Sequence, residues 1–174
     1  ISVGDFRSQT MGGWGTNCNG NNPGCYRDAN FPTAFPNGVS IGCANGHQLT
    51  FTTSTAVKNF LPNGGPSTVL SASQTNPTSG GGNVAGQLLA AKLSVGFDIS
   101  DPNFGASSVG VADLEFEGGN LADLTLAEVI ALADEVLGGC SSDVSLSDLG
   151  DALDTFNNAF VDGDSNSGTM RLPG

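Results

Sequence analysis

The sequence predicts an α+β protein of one domain, residues 1–174, in which short strands of the N-terminal half pack against three to four helices. Two observations carry this prediction. Strand-like alternation recurs early in the chain, and helical periodicity dominates its last third. Four cysteines add disulfide staples. A chain of 174 residues is long enough to bury a hydrophobic core.

Two strands joined by a turn are expected in the N-terminal half. The segments "GVSIGC" (38–43) and "QLTFTT" (48–53) are strand-like, and the turn signal "ANGH" separates them. The following "STAVKNFLP" (54–62) predicts a short helix that Pro62 stops. Residues 73–83, rich in Ser, Thr, Asn and Gly, predict a loop.

A buried helix and a further strand are expected in the middle of the chain. The segment "VAGQLLAAKLSVGF" (84–97) is mostly apolar, which indicates a helix that is mostly buried. Asn83 is its expected N-cap. The segment "GVADLEFEG" (110–118) alternates and predicts a strand.

A helical hairpin, residues 125–161, is predicted near the C-terminus. Its first helix (125–139) opens with a capping box from Thr125 to Glu128 and ends at a glycine pair. Its second helix (145–161) carries one apolar stripe at steps of three and four. A short loop joins the two, so we expect them to pack as an αα-hairpin.

The charge balance excludes some partners. The net charge is −12, and the only basic residues are Arg7, Arg27, Lys58, Lys92 and Arg171. No basic patch can form from so few, so nucleic acid and anionic membrane surfaces are poor partners. No apolar run approaches the length of a membrane span.

The first residue is Ile1 rather than Met, which we interpret as a processed N-terminus from which a signal peptide has been removed. An excised fragment is the alternative. An extracellular or cell-surface location is therefore expected.

The four cysteines, Cys18, Cys25, Cys43 and Cys140, favour disulfides in an exported chain. Three pairings are open. Cys18 and Cys25 lie seven positions apart, with glycines and a proline between them that allow a tight bend; Cys43 and Cys140 would then lie 97 positions apart. A zinc site is the rival interpretation, but the cysteine spacing is wrong for zinc and the chain has one His.

Two motifs resemble catalytic or nucleotide-binding signatures, and both lack their required context. "GVSIG" (38–42) fits the hydrolase pattern around Ser40, but "CANGH" begins no helix and no His follows His47. We expect His47 to have a structural or solvent role. "GGGNVA" (80–85) fits a dinucleotide fingerprint, but a polar loop precedes it instead of a strand. A protein without enzymatic activity is expected.

The segment "VDGDSNSG" (161–168) is the candidate metal site. Asp162, Asp164 and Asn166 stand at alternate positions, as oxygen ligands do in calcium loops. The glycine and the glutamate that complete such a loop are missing. Two interpretations stay open: a calcium site, which would make calcium the one cofactor, and a polar helix exit with Asx turns. "DISDPN" (98–103) is a second oxygen-rich turn.

Several long blocks together resemble a known kind of region. They are "FRSQTMGGWG", "NGNNPG", "ANFPTAFPNGVSIGC", "KNFLPNGG", "AGQLLAAKLSVGFD" with "DPNFG", and "LADEVLGGCSS" with "LSDLGDALDTFNNAFVDG". In this order, over residues 6–163, they are similar to a region of large secreted and cell-surface proteins of Bacteroidetes-type bacteria. The resemblance implies surface location and a structural or adhesive role, with no catalytic residues. It also implies that Cys43 pairs with Cys140 and Cys18 with Cys25.

The Gly/Asn-rich stretch 10–31 is expected to be a surface loop, stapled by its own disulfide. We expect Phe6, Trp14 and Tyr26 to supply contact area to a partner, and residues 1–16 to act as an arm between subunits. The predicted function is a structural extracellular protein, most simply the self-assembling subunit of a bacterial filament, tube or sheath, with copies of itself as partners. The alternative is a cell-surface adhesion or glycan-binding module.

Overall fold

The computed structural model describes residues 1–174 and contains six α-helices and five short β-strands. The helices are α1 (Met11–Trp14), α2 (Pro23–Ala34), α3 (Ser54–Phe60), α4 (Gly82–Ser100), α5 (Leu126–Leu137) and α6 (Leu146–Asn157). The strands are β1 (Val39–Gly42), β2 (Gln48–Phe51), β3 (Gln74–Thr75), β4 (Glu115–Phe116) and β5 (Met170–Arg171). The predicted α+β class is confirmed.

The strands form two small sheets. β1 and β2 pair antiparallel, with Val39 opposite Phe51 and Gly42 opposite Gln48, as expected for two strands joined by the "ANGH" turn. β3 adds to β2 in parallel inside the segment expected to be a loop. The second sheet pairs β4 with β5, which brings the C-terminal segment back onto the body of the protein.

Helix α4 is the centre of the fold. It packs against α2, α5, α6 and β1, and its residues from Val84 to Leu89 are all buried. Burial on all sides explains why its sequence is mostly apolar rather than amphipathic. One hydrophobic cluster of 35 residues runs from Phe6 to Met170 around it.

The C-terminal helices follow the sequence prediction closely. α5 begins with the full capping box, in which the Thr125 hydroxyl accepts from the Glu128 amide and the Glu128 carboxylate accepts from the Thr125 amide. Ser145 caps α6 through the amide of Asp148. The two helices pack on each other and both pack on α4, because their apolar stripes face one core.

The prediction of a surface loop over residues 10–31 is wrong. This stretch contains α1 and most of α2. Asn22 accepts a hydrogen bond from the Cys25 amide and Pro23 takes the first helical position, which together start α2. Glycines here approach the chain's own backbone: a Cβ on Gly15 would overlap the carbonyl oxygen of Leu61.

Two smaller predictions also differ from the structure. Residues 110–118 form a 3-10 turn (Val111–Asp113) followed by the two-residue strand β4, so most of the expected strand is absent. Asn83 does not cap α4. The N-cap of α4 is Gly81, whose backbone is left-handed, and the Ser67 hydroxyl accepts a hydrogen bond from the Val84 amide instead. A side chain at Gly82 would overlap the carbonyl oxygen of Pro66, so Gly82 of the "GGGNVA" motif serves this close approach.

Both disulfides have the expected pairing. Cys18 bonds Cys25, and Cys43 bonds Cys140. The second bond ties the segment after β1 to the loop between α5 and α6. None of the helices combines the length and apolar character that crossing a bilayer requires.

Candidate functional site

The N-terminal segment is pinned between two loops and creates the most polar of the larger cavities. The amides of Ala106 and Ser107 donate to the carbonyls of Gly4 and Asp5 at 3.0 and 2.9 Å. On the other side, Ser8 forms a parallel bridge with Val161. Residues 4–8 therefore hold the loop after α4 and the turn after α6 side by side.

A cavity of about 540 Å³ lies where these three segments meet; we call it the Arg7 basin. Arg7 and Asp162 supply its charged groups, and Gly4, Asn103 and Gly163 are among the other residues that line it. Its size falls in the range of small-molecule sites, roughly 300–1,000 Å³.

The side chain of Arg7 rests on aromatic rings. Its guanidinium carbon lies 4.7 Å from the ring centre of Tyr26 and 5.0 Å from that of Phe104. Both rings belong to a cluster with Trp14 and Phe97, in which centroids are 5.0 to 6.4 Å apart. The faces of the aromatic rings attract the cationic guanidinium of Arg7 and restrict its orientation.

No group in the chain takes a hydrogen bond from Arg7. Its Nε is buried and has no partner, and no carboxylate oxygen lies within 4.0 Å of its nitrogens. Arg27, Lys92 and Arg171 each have such a carboxylate. A guanidinium left open among 17 acidic residues is therefore available to a carboxylate from outside the chain.

Asp162 lines the same cavity, and hydrogen bonds hold its side chain and its backbone. Its Oδ1 accepts from the Nε2 of buried Gln9 at 2.8 Å, and its backbone amide donates to the Ser8 carbonyl at 3.2 Å. Its backbone is left-handed, with φ at 59°. The Oδ2 of Asp162 accepts no hydrogen bond from the chain, so this oxygen is available to a donor on a ligand.

A second cavity of about 500 Å³ lies beyond the same loop and shares Pro102, Gly105 and Ala106 with the Arg7 basin. Burial raises the pKa of Asp98 there, although the Val111 amide donates to it at 2.9 Å. Nearby, the Tyr26 hydroxyl donates to Asp101 at 2.7 Å. Burial, and then this hydrogen bond, raise the pKa of Tyr26, so the phenol stays a donor at physiological pH.

Of the predicted contact residues, Phe6 and Trp14 are corrected. Their side chains are 1% and 0% exposed, Phe6 packs on Phe160, and Trp14 donates from Nε1 to Ser94 at 3.1 Å. Because both belong to the chain's own core, neither can supply contact area to a partner. Tyr26 is half-buried and joins Trp14 in the cluster beneath Arg7.

The predicted metal ligands lie in an exposed turn. Asp162 is engaged with Gln9 as described, and the Asn166 side chain accepts from Gly168 and donates to Ile1. Asp164 is exposed. Calcium binding at this turn stays a prediction.

A second group of possible metal ligands lies elsewhere, where Glu135 is close to the sulfurs of Cys43 and Cys140. These two sulfurs form a disulfide and are not the free thiolates that bind a metal.

The residues of the hydrolase-like motif are placed in the hairpin. The Ser40 hydroxyl shares a 2.7 Å hydrogen bond with Thr50 on the neighbouring strand. His47 lies in the turn, where its backbone pairs with Cys43 and Gly138.

A further ion pair joins Lys92 to Asp134 at 2.7 Å, and burial raises the pKa of Asp134 despite this pair. This ion pair fastens α4 to α5 and β1, because Asp134 also accepts from the Gly42 amide.

Sequence reasoning did not identify Arg7. Its partners, Tyr26 and Phe104, lie 19 and 97 positions away, so no local pattern connects them. The one signal for Arg7 in the sequence was the scarcity of basic residues, because the role of each of the five Lys and Arg residues could be considered separately.

Comparison of the chain with protein-family models, with curated proteins and with solved structures finds no match.

Proposed function

We propose that this protein is an extracellular binding or adhesion module, and that the Arg7 basin is its recognition site. The observation that carries the proposal is the state of Arg7: a guanidinium stacked on two rings, lining a polar cavity, with no acceptor from its own chain. Because the Arg7 side chain is already held in place, it loses little conformational entropy when a ligand binds, and this favours recognition.

The frame around the basin supports recognition by a preformed site. Backbone hydrogen bonds fix residues 4–5 to residues 106–107, and the aromatic cluster lies in the core beneath. The Cys18–Cys25 disulfide staples the start of α2, the helix that carries Tyr26. A site on such a frame keeps its geometry without a ligand.

Location outside the cell is supported by chemistry. Two disulfides and no free cysteine suit an oxidising compartment, because reducing compartments keep thiols free. The resemblance to secreted and cell-surface proteins of Bacteroidetes-type bacteria agrees with this location.

Binding of fluorescently labelled protein to intact cells and extracellular matrix of the organism that makes it tests the proposal. We expect Arg7→Gln to reduce the bound fraction at least fivefold. Lys58→Gln is the matched control, because Lys58 also lacks a carboxylate within 4.0 Å but lies on α3, away from the basin. Failure of the wild type to bind, or equal binding by Arg7→Gln, would overturn the proposal.

Self-assembly is the second candidate function, and the exposed start of the chain favours it. Val3 is 60% exposed and Ile1 37%, which leaves two apolar side chains free where Phe6 and Trp14 are not. Because backbone hydrogen bonds fix residues 4–5 to residues 106–107, the proposed arm is residues 1–3 rather than 1–16. Sedimentation velocity at rising concentration tests it: we expect association by the wild type and a monomer for the Ile1→Ser, Val3→Ser double variant. A wild type that stays monomeric would remove this candidate.

A further inference from the structure

We infer that the Arg7 basin binds the zwitterionic head of an α-amino acid, with the carboxylate on Arg7 and the ammonium on Asp162. The inference rests on the proposed function of the basin and adds the chemical class of its ligand. Two residues of opposite charge line one cavity, and each has a hydrogen-bonding group without a partner in the chain; this observation carries the inference.

The carboxylate half follows from Arg7. Guanidinium and carboxylate are planar and match as a pair of parallel N–H···O bonds. The ring centres of Tyr26 and Phe104 are 5.5 Å apart and lie on the same side of the guanidinium carbon, and the N–H groups of Arg7 have no acceptor in the chain. Because Nε is buried, a planar anion that approaches in the plane of the group accepts from the two Nη nitrogens.

The ammonium half follows from Asp162. One of its oxygens is held by Gln9, and the other has no donor in the chain. An ammonium group supplies donors and a compensating positive charge. Arg7 and Asp162 do not neutralise each other, because no nitrogen–oxygen pair between them lies within 4.0 Å. The cavity therefore offers two charges that do not pair with each other.

The net charge selects a zwitterion over a simple anion. A chain of charge −12 repels anions, and Asp162 stands beside the only cation of the basin. A bare carboxylate meets one favourable and one unfavourable charge there. A ligand with both charges meets two favourable ones and carries no net charge to be repelled.

The basin recognises the head of the ligand more than its side chain. Apart from Pro102, Phe104 and Ala106, its lining is glycine or polar, and Phe104 is already covered by Arg7 and buried. No apolar pocket for a ligand side chain is provided. Glycine, alanine and serine are therefore expected to bind within about threefold of one another, since an apolar methylene adds affinity only where a pocket buries it.

Titration of the ¹⁵N-labelled protein with glycine, followed by the amide shifts of Gly4, Gly105 and Gly163, tests the inference. We expect saturable shifts with glycine and at least tenfold weaker binding of acetate and of methylamine, each of which carries one charge. Arg7→Gln and Asp162→Asn should each weaken glycine binding at least tenfold. Asn at position 162 can still accept from Gln9, so the turn is preserved. Lys58→Gln should bind like the wild type, and unchanged spectra away from the basin show that each variant is folded.

Two results would overturn the inference, and they leave the proposed function to its own test. Equal binding of acetate and glycine, unaffected by Asp162→Asn, would identify a site for carboxylates alone. Absence of saturable shifts with glycine would show that the basin takes no amino acid, while loss of cell binding by Arg7→Gln would still support recognition of another ligand there.

Discussion

The guanidinium of Arg27 donates a hydrogen bond to the carbonyl oxygen of Trp14, the last residue of α1. The same side chain reaches the Thr16 carbonyl at 2.8 Å and the Ser54 hydroxyl at 2.7 Å, and it pairs with Asp28 at 3.2 Å. It is 1% exposed. This one buried side chain thus joins α1, α2 and the start of α3. The N–H groups of Arg27 donate to acceptors inside the chain, whereas those of Arg7 have no such acceptor.

We expect Arg27→Met to destabilise the protein by about 2–4 kcal/mol, because the buried carbonyl of Trp14 and the part-buried carbonyl of Thr16 would lose their donor. Urea unfolding followed by tryptophan fluorescence measures this, since Trp14 is the only tryptophan. Arg171→Met is the control. Arg171 pairs with Glu115 and Asp123 at the surface, where ion pairs contribute little, so its loss should shift the midpoint far less. Equal shifts for the two variants would contradict the role given to Arg27.

Local signals predicted the β1–β2 hairpin, α3 and the two C-terminal helices, whereas tertiary contacts decided the first 35 residues. The Thr125–Glu128 capping box and the stripe of α6 are local, so both helices were recognisable from sequence. The start of α2 also had a local signal, Asn22 followed by Pro23, but the glycines and asparagines before it suggested a loop. Burial of Trp14 depends on Phe97 and Ser94, some 80 positions on, which no local pattern reveals. The Arg7 basin is hidden for the same reason.

The two disulfides should contribute unequally. Cys43–Cys140 spans 97 positions and Cys18–Cys25 spans seven. The chain-entropy model then gives about 4.7 kcal/mol for the first and about 2.5 kcal/mol for the second. We expect the Cys43→Ala, Cys140→Ala variant to unfold at a clearly lower urea concentration than the Cys18→Ala, Cys25→Ala variant. The reverse order would show that the short bond acts through native contacts of α2 rather than through loop entropy.

Asp98 and Asp28 should change stability with opposite signs. Burial raises the pKa of Asp98, so its ionisation in the folded state is unfavourable above the ordinary Asp value near 3.9. Asp98→Asn keeps an acceptor for Val111 and removes this penalty, so the variant should be more stable than the wild type at pH 7. The gain should disappear as the pH falls below about 3.9, where both states are protonated.

Asp28 provides the opposite case. The Ser54 hydroxyl, and then Arg27, lower the pKa of Asp28, so its charged form stabilises the fold at neutral pH. Asp28→Asn should therefore lose stability at pH 7, and the difference from wild type should vanish on acidification through the lowered pKa. Urea midpoints measured from pH 2 to pH 7 test both variants, because the series must pass below the lowered pKa of Asp28. A loss at pH 7 for Asp98→Asn would show that its carboxylate is needed in charged form.

Two helical glycines should respond in opposite directions to alanine. In an open helix this change stabilises by up to about 1 kcal/mol, because glycine has the greater backbone entropy to lose. At Gly150 in α6 the new Cβ would meet the side-chain nitrogen of Asn83 at 3.3 Å and the Cβ of Val84 at 3.7 Å, so a small shift of one side chain is enough. Gly150→Ala should raise the melting temperature.

At Gly86 in α4 the new Cβ would overlap the Met11 sulfur and lie 2.9 Å from the Asn63 carbonyl oxygen. Met11 can move, but Asn63 is held by its hydrogen bonds to the Gly80 and Gly82 carbonyls, at 2.9 and 2.7 Å. Overpacking against a fixed backbone costs about 1–3 kcal/mol, which exceeds the gain in helix propensity. Gly86→Ala should therefore lower the melting temperature. A higher melting temperature for both variants would show that the contact between α4 and Asn63 does not require glycine at position 86.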